Sequence, residues 1–313
     1  QRQMCIRDRY KLERPGKGGI SFISQSGAVG SVVLDWMAMM GYKLSKFISY
    51  GNATDIDEKD LIEYLASDPK TKAICIYIEG VKDGRKFYEL AKNHAKRKPI
   101  IILKGGITEQ GSSAVSSHTG SLAGSKEVYE TAFRQAGMVQ AYDVEQVFDY
   151  ARVLSTQPRP KGKRVQVITD GGGFGIISTD WLIRNGMELA RMGKKTLDGL
   201  KREFSEYTIV KNPLDLTGAA TTDDYRTALN AAITDKNVDM ILLIVLFQVP
   251  LLTPDVVDVI VEANKRKKKP MIVVAAGGRY SEVLKKSLED AGIPTFSSPA
   301  KASEALRALY DYS

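Results

Sequence analysis

The chain repeats itself: residues 20–41 align without a gap on residues 165–186, an offset of 145 positions. Each copy contains a β-branched run, a glycine-rich turn and an apolar-periodic segment. That segment ends at Gly41 or Gly186, a residue type suited to a left-handed helix C-cap. The identical pairs, which include both tryptophans of the chain, are Ile23/Ile168, Gly27/Gly172, Gly30/Gly175, Asp35/Asp180, Trp36/Trp181 and Gly41/Gly186. The repeat predicts a duplicated strand–turn–helix unit.

The remainder of each copy follows the same plan, because residues 98–106 resemble residues 269–278. The strand candidates 73–78 and 240–247 are continuously apolar, as strands buried on both faces of a parallel sheet are. Strand and helix patterns alternate, which predicts an α/β fold of two tandem flavodoxin-like, doubly wound parallel-sheet domains. The predicted bounds are a tail or fragment edge over 1–14, a first domain over 15–157, a linker over 158–163 and a second domain over 164–313.

Composition narrows the classes of function. With 313 residues, 43% of them hydrophobic, the chain can build two domains that each bury a core. The longest apolar run, 240–247, is far shorter than the roughly 20 residues of a membrane span, so none is expected. The net charge of +8 is spread along the chain. The dense basic run 265–269 is expected to be a solvated helix C-terminus, so nucleic-acid binding is not expected.

The two cysteines, Cys5 and Cys75, have no metal-ligand spacing, and no metal site is expected. Cys75 lies inside the strand candidate 73–78. We therefore predict a reduced core residue in a cytoplasmic protein.

One loop distinguishes the two copies. Between Gly106 and Ala136 lie 29 residues, but between Gly278 and Ala291 only 12, so the first copy has about 17 extra residues. This segment, 108–124, contains His118, one of the two histidines, among serines, threonines and glycines. Such a loop can hold an anion beside an imidazole. The alternative is an ordinary exposed loop histidine.

The two glycine-rich turns are candidate phosphate sites, because a helix N-terminus offers unpaired N–H groups and a partial positive charge. The candidate residues are Ser26, Gly27 and Ala28 in the first copy and Gly172 and Gly173 in the second. Neither turn matches a P-loop, and the second departs from the dinucleotide fingerprint. Each turn alone is also compatible with a plain strand–helix junction. Their equivalent placement suggests that both helices address one charged group.

Glu79 is the carboxylate that fits such a site. It directly follows the apolar strand candidate, and the carboxyl ends of parallel strands meet at one edge of a sheet. A carboxylate there can accept the Nδ1 proton of His118 and leave Nε2 as a nucleophile. A helix-start acid or a surface residue is the alternative interpretation.

Three segments, 116–124, 22–28 and 212–216, resemble the nucleoside-diphosphate-forming acyl-CoA synthetases, relatives of succinyl-CoA synthetase, from about Leu12 onward. The resemblance implies that an acyl-CoA and phosphate give an acyl phosphate. The phosphoryl group then moves reversibly to His118 and on to ADP, with Glu79 orienting the imidazole. It also implies that the helices beginning at Ser26 and Gly172 bracket the phosphohistidine.

The same resemblance implies no tightly bound cofactor. The substrates are CoA, phosphate and a small carboxylic acid, with ADP or ATP and Mg on a separate nucleotide domain. The implied partners are a CoA-binding domain and an ATP-grasp domain or subunit, for which the chain has no room, in a hetero- or homo-oligomer. Asp170 stands where relatives often have Asn. The acyl group, which can be acetate, another short or hydroxylated acid or an aryl acid, stays open, as does ADP against GDP.

Two other classes remain open at this stage. Some protein acetyltransferases carry a similar domain set as a catalytically silent regulatory module, in which the reactive histidine is lost. A nicotinamide-dependent oxidoreductase would need a ribose-binding acid after the glycine turn, and Glu188 is poorly placed for that.

Overall fold

The computed structural model describes residues 13–51, 53–113 and 125–313. These residues divide into two compact units, with the boundary between Ser155 and Thr156. Most of the predicted tail and the second half of the predicted histidine loop lie outside the described residues. Each unit is an α/β domain with its own parallel sheet, so the predicted fold class is confirmed.

The first unit contains a five-stranded parallel sheet in the order β2-β1-β3-β4-β5. This is the strand order of the flavodoxin-like doubly wound fold. Its elements are β1 (Gly16–Ser24), α1 (Gly27–Met39), β2 (Lys43–Ser49), α2 (Glu58–Ser67), β3 (Ala73–Ile78), α3 (Gly84–Ala95), β4 (Ile100–Lys104), α4 (Lys126–Gln135), β5 (Val139–Ala141) and α5 (Val144–Thr156).

Isoleucine is the commonest residue in the central strands of this sheet. In β3, Ile76 pairs with Ile23 of β1 on one side and with Ile102 of β4 on the other, and all three are fully buried. Helices pack on both faces of the sheet, so the side chains of β3 are buried whichever face they point to. This explains the continuous apolar run 73–78. The predicted strand 73–78 is confirmed. Cys75 is fully buried within it, and burial raises the pKa of its thiol, as expected for an inert core residue.

The second unit contains a parallel sheet in the order β11-β10-β9-β6-β7, with β8 also paired to β6. Its elements are β6 (Arg164–Thr169), α6 (Gly172–Arg184), β7 (Glu188–Leu189), α7 (Lys194–Glu203), β8 (Leu214–Asp215), α8 (Thr222–Thr234), β9 (Met240–Ile244), α9 (Val256–Lys265), β10 (Met271–Val274), α10 (Arg279–Asp290), β11 (Thr295–Phe296) and α11 (Pro299–Tyr312).

The strand order shows that the repeat extends over the whole of each unit. Strands β6, β7, β9, β10 and β11 take the places of β1 to β5. Gly41 and Gly186 follow α1 and α6 with φ of 70° and 72°, so the predicted left-handed C-caps are confirmed. The predicted strand 240–247 is too long. It ends at Ile244 because the chain then leaves the sheet, and the Leu246 N–H donates to Asp170.

The second unit carries an insertion that the repeat alignment did not reveal. Sixteen residues separate Gly41 from the start of α2, whereas 35 separate Gly186 from the start of α8. The additional chain forms α7 and β8 and includes the segment 212–216. Each domain therefore has its own addition, the loop 108–124 in the first and this insertion in the second.

The boundary between the units lies slightly before the predicted one. The Gln157 side chain accepts a hydrogen bond from Met271 N at 3.1 Å, so the residues after α5 are tied to the second unit. No helix in the described part of the chain is both long and apolar enough to cross a bilayer. Nor do the described ranges bring together three His, Cys, Asp or Glu residues that could hold a metal ion.

Candidate functional site

The turn between β1 and α1 is organised by Ser26. Its backbone is extended (φ −99°, ψ 125°) and its Oγ accepts a hydrogen bond from Val29 N at 3.4 Å, which makes it the N-cap of α1. The Ser24 hydroxyl donates to the Ser26 carbonyl oxygen at 2.6 Å. Gly27 and Ala28 begin the helix, and its first turn contains no acidic residue. The helix end therefore keeps its partial positive charge for an anion.

Two glycines of α1 have different roles. A Cβ at Gly30 would lie 2.5 Å from Cζ of Phe47, so glycine lets the helix approach β2 closely. A Cβ at Gly27 would instead meet Ser49 Oγ at 3.9 Å, an ordinary distance. Space therefore exists beside the first turn of α1.

Glu79 lies at the same sheet edge as the Ser26 turn. The Gln25 side-chain oxygen accepts hydrogen bonds from Glu79 N at 2.6 Å and from Gly80 N at 3.2 Å. Gln25 N in turn donates to the Tyr77 carbonyl oxygen at 3.0 Å. The Gln25 side chain thus joins the residues that follow the neighbouring strands β1 and β3. From β1 the chain continues to β2 on one side of the sheet, and from β3 it continues to β4 and β5 on the other, so the strand order changes direction between these two strands. Ligand sites of doubly wound folds occur at this point.

Two further polar side chains surround the Glu79 carboxylate. The Tyr77 hydroxyl donates to Glu79 Oε1 at 3.3 Å, and burial together with the Glu79 charge raises the pKa of Tyr77 to about 12. Tyr77 therefore stays a neutral donor at physiological pH. Burial lowers the pKa of the Lys104 ammonium, and the Glu79 charge partly offsets this effect. Lys104 Nζ donates to the Gly105 carbonyl oxygen and lies 4.8 Å from the centre of the Tyr129 ring.

The corresponding turn of the second unit has a different cap. Gly171 occupies the N-cap position of α6, so no side chain caps the helix, and its first turn has no acidic residue. A Cβ at Gly172 would lie 2.6 Å from Asp215 Oδ2, whereas a Cβ at Gly173 would meet no atom of the described residues within 4 Å. Among these residues, a carboxylate borders the first amides of α6 on the Gly172 side and nothing borders them on the Gly173 side.

Asp170 is the residue between β6 and this turn, and it is only 2% exposed. Both of its carboxylate oxygens lie 3.0 Å from Leu246 N, which donates to them. Burial raises the pKa of Asp170 to about 6, although the hydrogen bond from Leu246 acts in the opposite direction. A buried carboxylate thus holds the β6–α6 turn and the segment after β9 together.

The contribution of Asp170 to the stability of the protein should consequently fall as the pH rises from about 4 to about 6. The pKa of Asp170 is higher in the folded protein than the ordinary value of 3.8, so the folded state binds more protons across this window. The part of the free energy of unfolding that Asp170 contributes should decrease by up to about 3 kcal/mol over this window. Asp170→Asn should remove this slope and should be more stable than the wild type at pH 7. Urea unfolding at a series of pH values measures both effects.

The matched control is Asp180→Asn, which changes an exposed aspartate on α6 and should leave the slope as it is. Equal slopes in the wild type and Asp170→Asn would show that Asp170 is not the group responsible.

Sequence reasoning assigned no role to Gln25 or Lys104. Gln25 lies inside the quoted segment 22–28, but only its long-range bonds to Glu79 and Gly80 reveal what it does. Lys104 could have been singled out from the sequence, because a lysine ends an apolar strand at the position where the second copy of the repeat has Ala275. His118 lies outside the described residues, so its relation to Glu79 and to the two turns stays a prediction.

These sheets and turns define a tandem pair of domains of the succinyl-CoA ligase type. Two family models match the chain: the succinyl-CoA ligase-like flavodoxin domain over residues 17–154 and the ligase-CoA domain over residues 165–313. The chain belongs to the ADP-forming acyl-CoA synthetase family.

Several relatives show the same similarity. The alpha subunit of ADP-forming acetate–CoA ligase I from Pyrococcus furiosus is 40% identical over 302 residues, which cover 95% of this chain and 64% of that protein. ADP-forming acetate–CoA ligase I from Archaeoglobus fulgidus is 39% identical, with coverage of 99% and 44%. The chain thus spans less than two thirds of the first relative and less than half of the second.

A solved structure extends the similarity to three dimensions. The dinucleotide-forming acetyl-coenzyme A synthetase 1 of Ca. Korarchaeum cryptofilum, in complex with phosphate and ADP, aligns with a TM-score of 0.88 at 37% identity. The alignment covers 95% of this chain and 65% of that one.

Proposed function

We propose that this chain is the phosphohistidine-bearing part of an ADP-forming acyl-CoA synthetase. The observation that carries the proposal is the junction made by Gln25, which holds the Glu79 backbone against the turn that begins α1. A carboxylate that can orient an imidazole then lies at the same sheet edge as a helix N-terminus that can bind phosphate. The relatives named as ADP-forming ligases support the same reaction class.

The reaction has three balanced steps. Phosphate oxygen attacks the thioester carbon of the acyl-CoA, and the C–S bond breaks to give an acyl phosphate and CoA. Nε2 of His118 then attacks phosphorus, and the P–O bond to the acyl oxygen breaks, which releases the carboxylate. Finally, a terminal oxygen of ADP attacks the same phosphorus and the N–P bond breaks, which yields ATP and regenerates the imidazole.

This chain's residues have separate parts in these steps. Glu79 accepts the Nδ1 proton of His118, which fixes the tautomer and stabilises the positive charge that develops on the ring. Ser26, Gly27 and Ala28 supply backbone N–H groups to the phosphoryl oxygens, and Gly172 and Gly173 do the same from α6. Each helix end can contribute about 0.3–1 kcal/mol, and up to about 2 kcal/mol where it is partly buried.

The proposal requires groups that these residues do not supply. A CoA-binding domain would bind the thioester, and an ATP-grasp domain or subunit would bind ADP with Mg. The alpha-subunit name of the Pyrococcus furiosus relative supports a multi-subunit assembly. The substrates would be an acyl-CoA of a small carboxylic acid, phosphate and ADP, with no tightly bound cofactor, in the cytoplasm.

The test is ATP formation by this chain together with the CoA-binding and ATP-grasp parts of its enzyme. ATP should form from an acyl-CoA, phosphate and ADP, and omission of phosphate should stop it. CoA release should match ATP formation one to one. If no acyl-CoA in a panel of short, branched and aryl thioesters supports ATP formation, the chain is not part of a ligase and the regulatory alternative gains support.

A further inference from the structure

Lys104 is the last residue of β4 and is only 4% exposed. Its ammonium donates to the Gly105 carbonyl oxygen and lies 4.8 Å from the centre of the Tyr129 ring. No carboxylate among the described residues lies within 4.0 Å of it. An ammonium has three N–H donors, and only one of them has an oxygen acceptor in the part of the chain that the structure describes. A buried cation without a counter-ion costs free energy, so its presence indicates that an anion binds there.

Lys98, just before β4, shows how this protein buries a lysine for a structural purpose. Its ammonium donates to two carbonyl oxygens at the end of α2, those of Leu65 at 2.8 Å and Asp68 at 2.7 Å. The equivalent Lys269 of the second unit does the same at the end of α8. A cation there satisfies the last carbonyls of a helix, and both copies of the repeat have kept it. Lys104 lies at the opposite end of β4 and satisfies no helix end.

The lysine at position 104 and the glutamate at position 79 differ together between the two copies. The strand pairings make Leu246 the equivalent of Glu79 and Ala275 the equivalent of Lys104. The carboxylate and the ammonium are therefore both present in the copy with the additional loop 108–124, and apolar residues replace both in the other copy. This joint replacement indicates that the two charges serve the same local purpose in the first unit.

The two charges lie at the same end of neighbouring strands. Gly105, whose carbonyl oxygen accepts from Lys104, donates its N–H to the Ile78 carbonyl oxygen at 2.8 Å, and Ile78 precedes Glu79. The Tyr77 hydroxyl, which donates to Glu79, lies against the same glycine, because a Cβ at Gly105 would be 2.7 Å from Tyr77 Oη. The Glu79 charge also raises the pKa of Lys104 against the effect of burial. The ammonium is thus close enough to act on charges at the candidate site.

An anion at this sheet edge needs a full positive charge. The Glu79 carboxylate repels a phosphate ion, and the N-terminus of α1 offers only about half of an elementary charge in compensation. Lys104 supplies one whole charge, and a lysine ammonium is a common ligand of phosphate in proteins.

We propose that Lys104 is a phosphate-binding residue of the synthetase, and that its ammonium donates to an oxygen of inorganic phosphate at the carboxyl edge of the first sheet. The inference rests on the proposed function, because that reaction brings phosphate to this edge. The bond would use an N–H donor that has no acceptor among the described residues. Loss of one charge-assisted hydrogen bond should weaken phosphate binding roughly ten- to hundredfold.

Lys104→Met keeps the length of the side chain and removes its charge. The 313-residue chain is titrated with inorganic phosphate, and binding is followed by ³¹P NMR and by the thermal unfolding midpoint, which phosphate should raise in the wild type. In Lys104→Met the apparent Kd for phosphate should rise roughly tenfold or more. Without phosphate, Lys104→Met should unfold at the same temperature as the wild type or a higher one, because methionine removes a buried charge.

The matched control is Lys98→Met at the other end of the same strand. It should lower the unfolding midpoint, because two carbonyls of α2 lose their partner, and it should leave phosphate affinity unchanged. If Lys104→Met does not fold, Lys104→Gln removes the charge and retains an N–H donor for the Gly105 carbonyl. A neutral residue at position 104 that destabilises the chain but binds phosphate as the wild type does would show a purely structural lysine and overturn the inference.

Kinetics of the complete synthetase separate this inference from the proposed function. In the direction of ATP formation, Lys104→Met should raise the KM for phosphate roughly tenfold or more and leave the KM for ADP unchanged. ATP formation with an unchanged KM for phosphate would retain the ligase and overturn the role of Lys104. Phosphate binding that depends on Lys104 without any ATP formation would retain the anion site and contradict the ligase proposal.

Discussion

His118→Asn should abolish ATP formation from acyl-CoA, phosphate and ADP, with a loss on the order of 10⁴-fold or more. Asparagine has a similar size but no basic nitrogen, so no N–P bond can form and the phosphoryl group has no carrier. The complete enzyme incubated with radiolabelled ATP should incorporate a label that is labile in acid and stable in base, as a phosphoramidate is. The same enzyme with His118→Asn should incorporate none.

The chain offers its own control for this experiment. His94, on α3, is the other histidine, and His94→Asn should retain both the label and the activity. Glu79→Gln should still fold but should slow labelling by roughly 10²–10⁴-fold, because the amide cannot accept the Nδ1 proton as a carboxylate does. Persistence of base-stable label in His118→Asn would assign the phosphoryl carrier to another residue. Full activity in Glu79→Gln would remove its orienting role.

Asn212→Ala should destabilise the protein by about 3–5 kcal/mol. The Asn212 amide donates to the carbonyl oxygens of Val165 at 2.8 Å and Ala190 at 3.0 Å, and its oxygen accepts from Val167 N at 3.1 Å. The side chain therefore takes the place of a neighbouring strand along part of β6. Alanine would remove the bonds to the Ala190 carbonyl and the Val167 N–H, whereas the Val165 carbonyl would keep the bond from Ala190 N at 2.9 Å. Each buried backbone group that loses its partner costs about 1–3 kcal/mol.

Chemical unfolding of the 313-residue chain measures this effect. Asn237→Ala is the matched control, because Asn237 is exposed in the turn before β9, and it should change the free energy of unfolding by about 0.5 kcal/mol or less. A change of under 1 kcal/mol in Asn212→Ala would show that β6 finds other partners when the amide is removed.

The repeat carried most of the fold prediction. Gly41 and Gly186 were predictable because a left-handed helix C-cap requires glycine. The strand 73–78 was predictable because burial on both faces of a sheet requires a continuous apolar run. The insertion with α7 and β8 was not predicted, because its helix is polar and ordinary in pattern. The end of β9 was also misplaced, since the bond from Leu246 to Asp170 depends on residues 76 positions apart.

The sequence predicted which edge of the sheet carries the candidate site but not the contacts within that site. Parallel strands bring their carboxyl ends to one edge of a sheet, and this rule placed Glu79 beside the Ser26 turn. The rule cannot specify that a glutamine side chain joins them. Gln25 reaches the amides of Glu79 and Gly80 across 54 and 55 positions, and no local pattern encodes that contact.

The equivalent N-termini of α1 and α6 differ in whether a side chain accepts a hydrogen bond from their first amides. In α1, Val29 N donates to the Ser26 hydroxyl oxygen. In α6 the N-cap residue is Gly171, and no side chain accepts a hydrogen bond from the first amides. Exchange of a serine cap for glycine lowers helix stability by only a few tenths of a kcal/mol. The glycine at the head of α6 therefore leaves one more amide for an anion than the serine at the head of α1 does, at a cost of only a few tenths of a kcal/mol in helix stability.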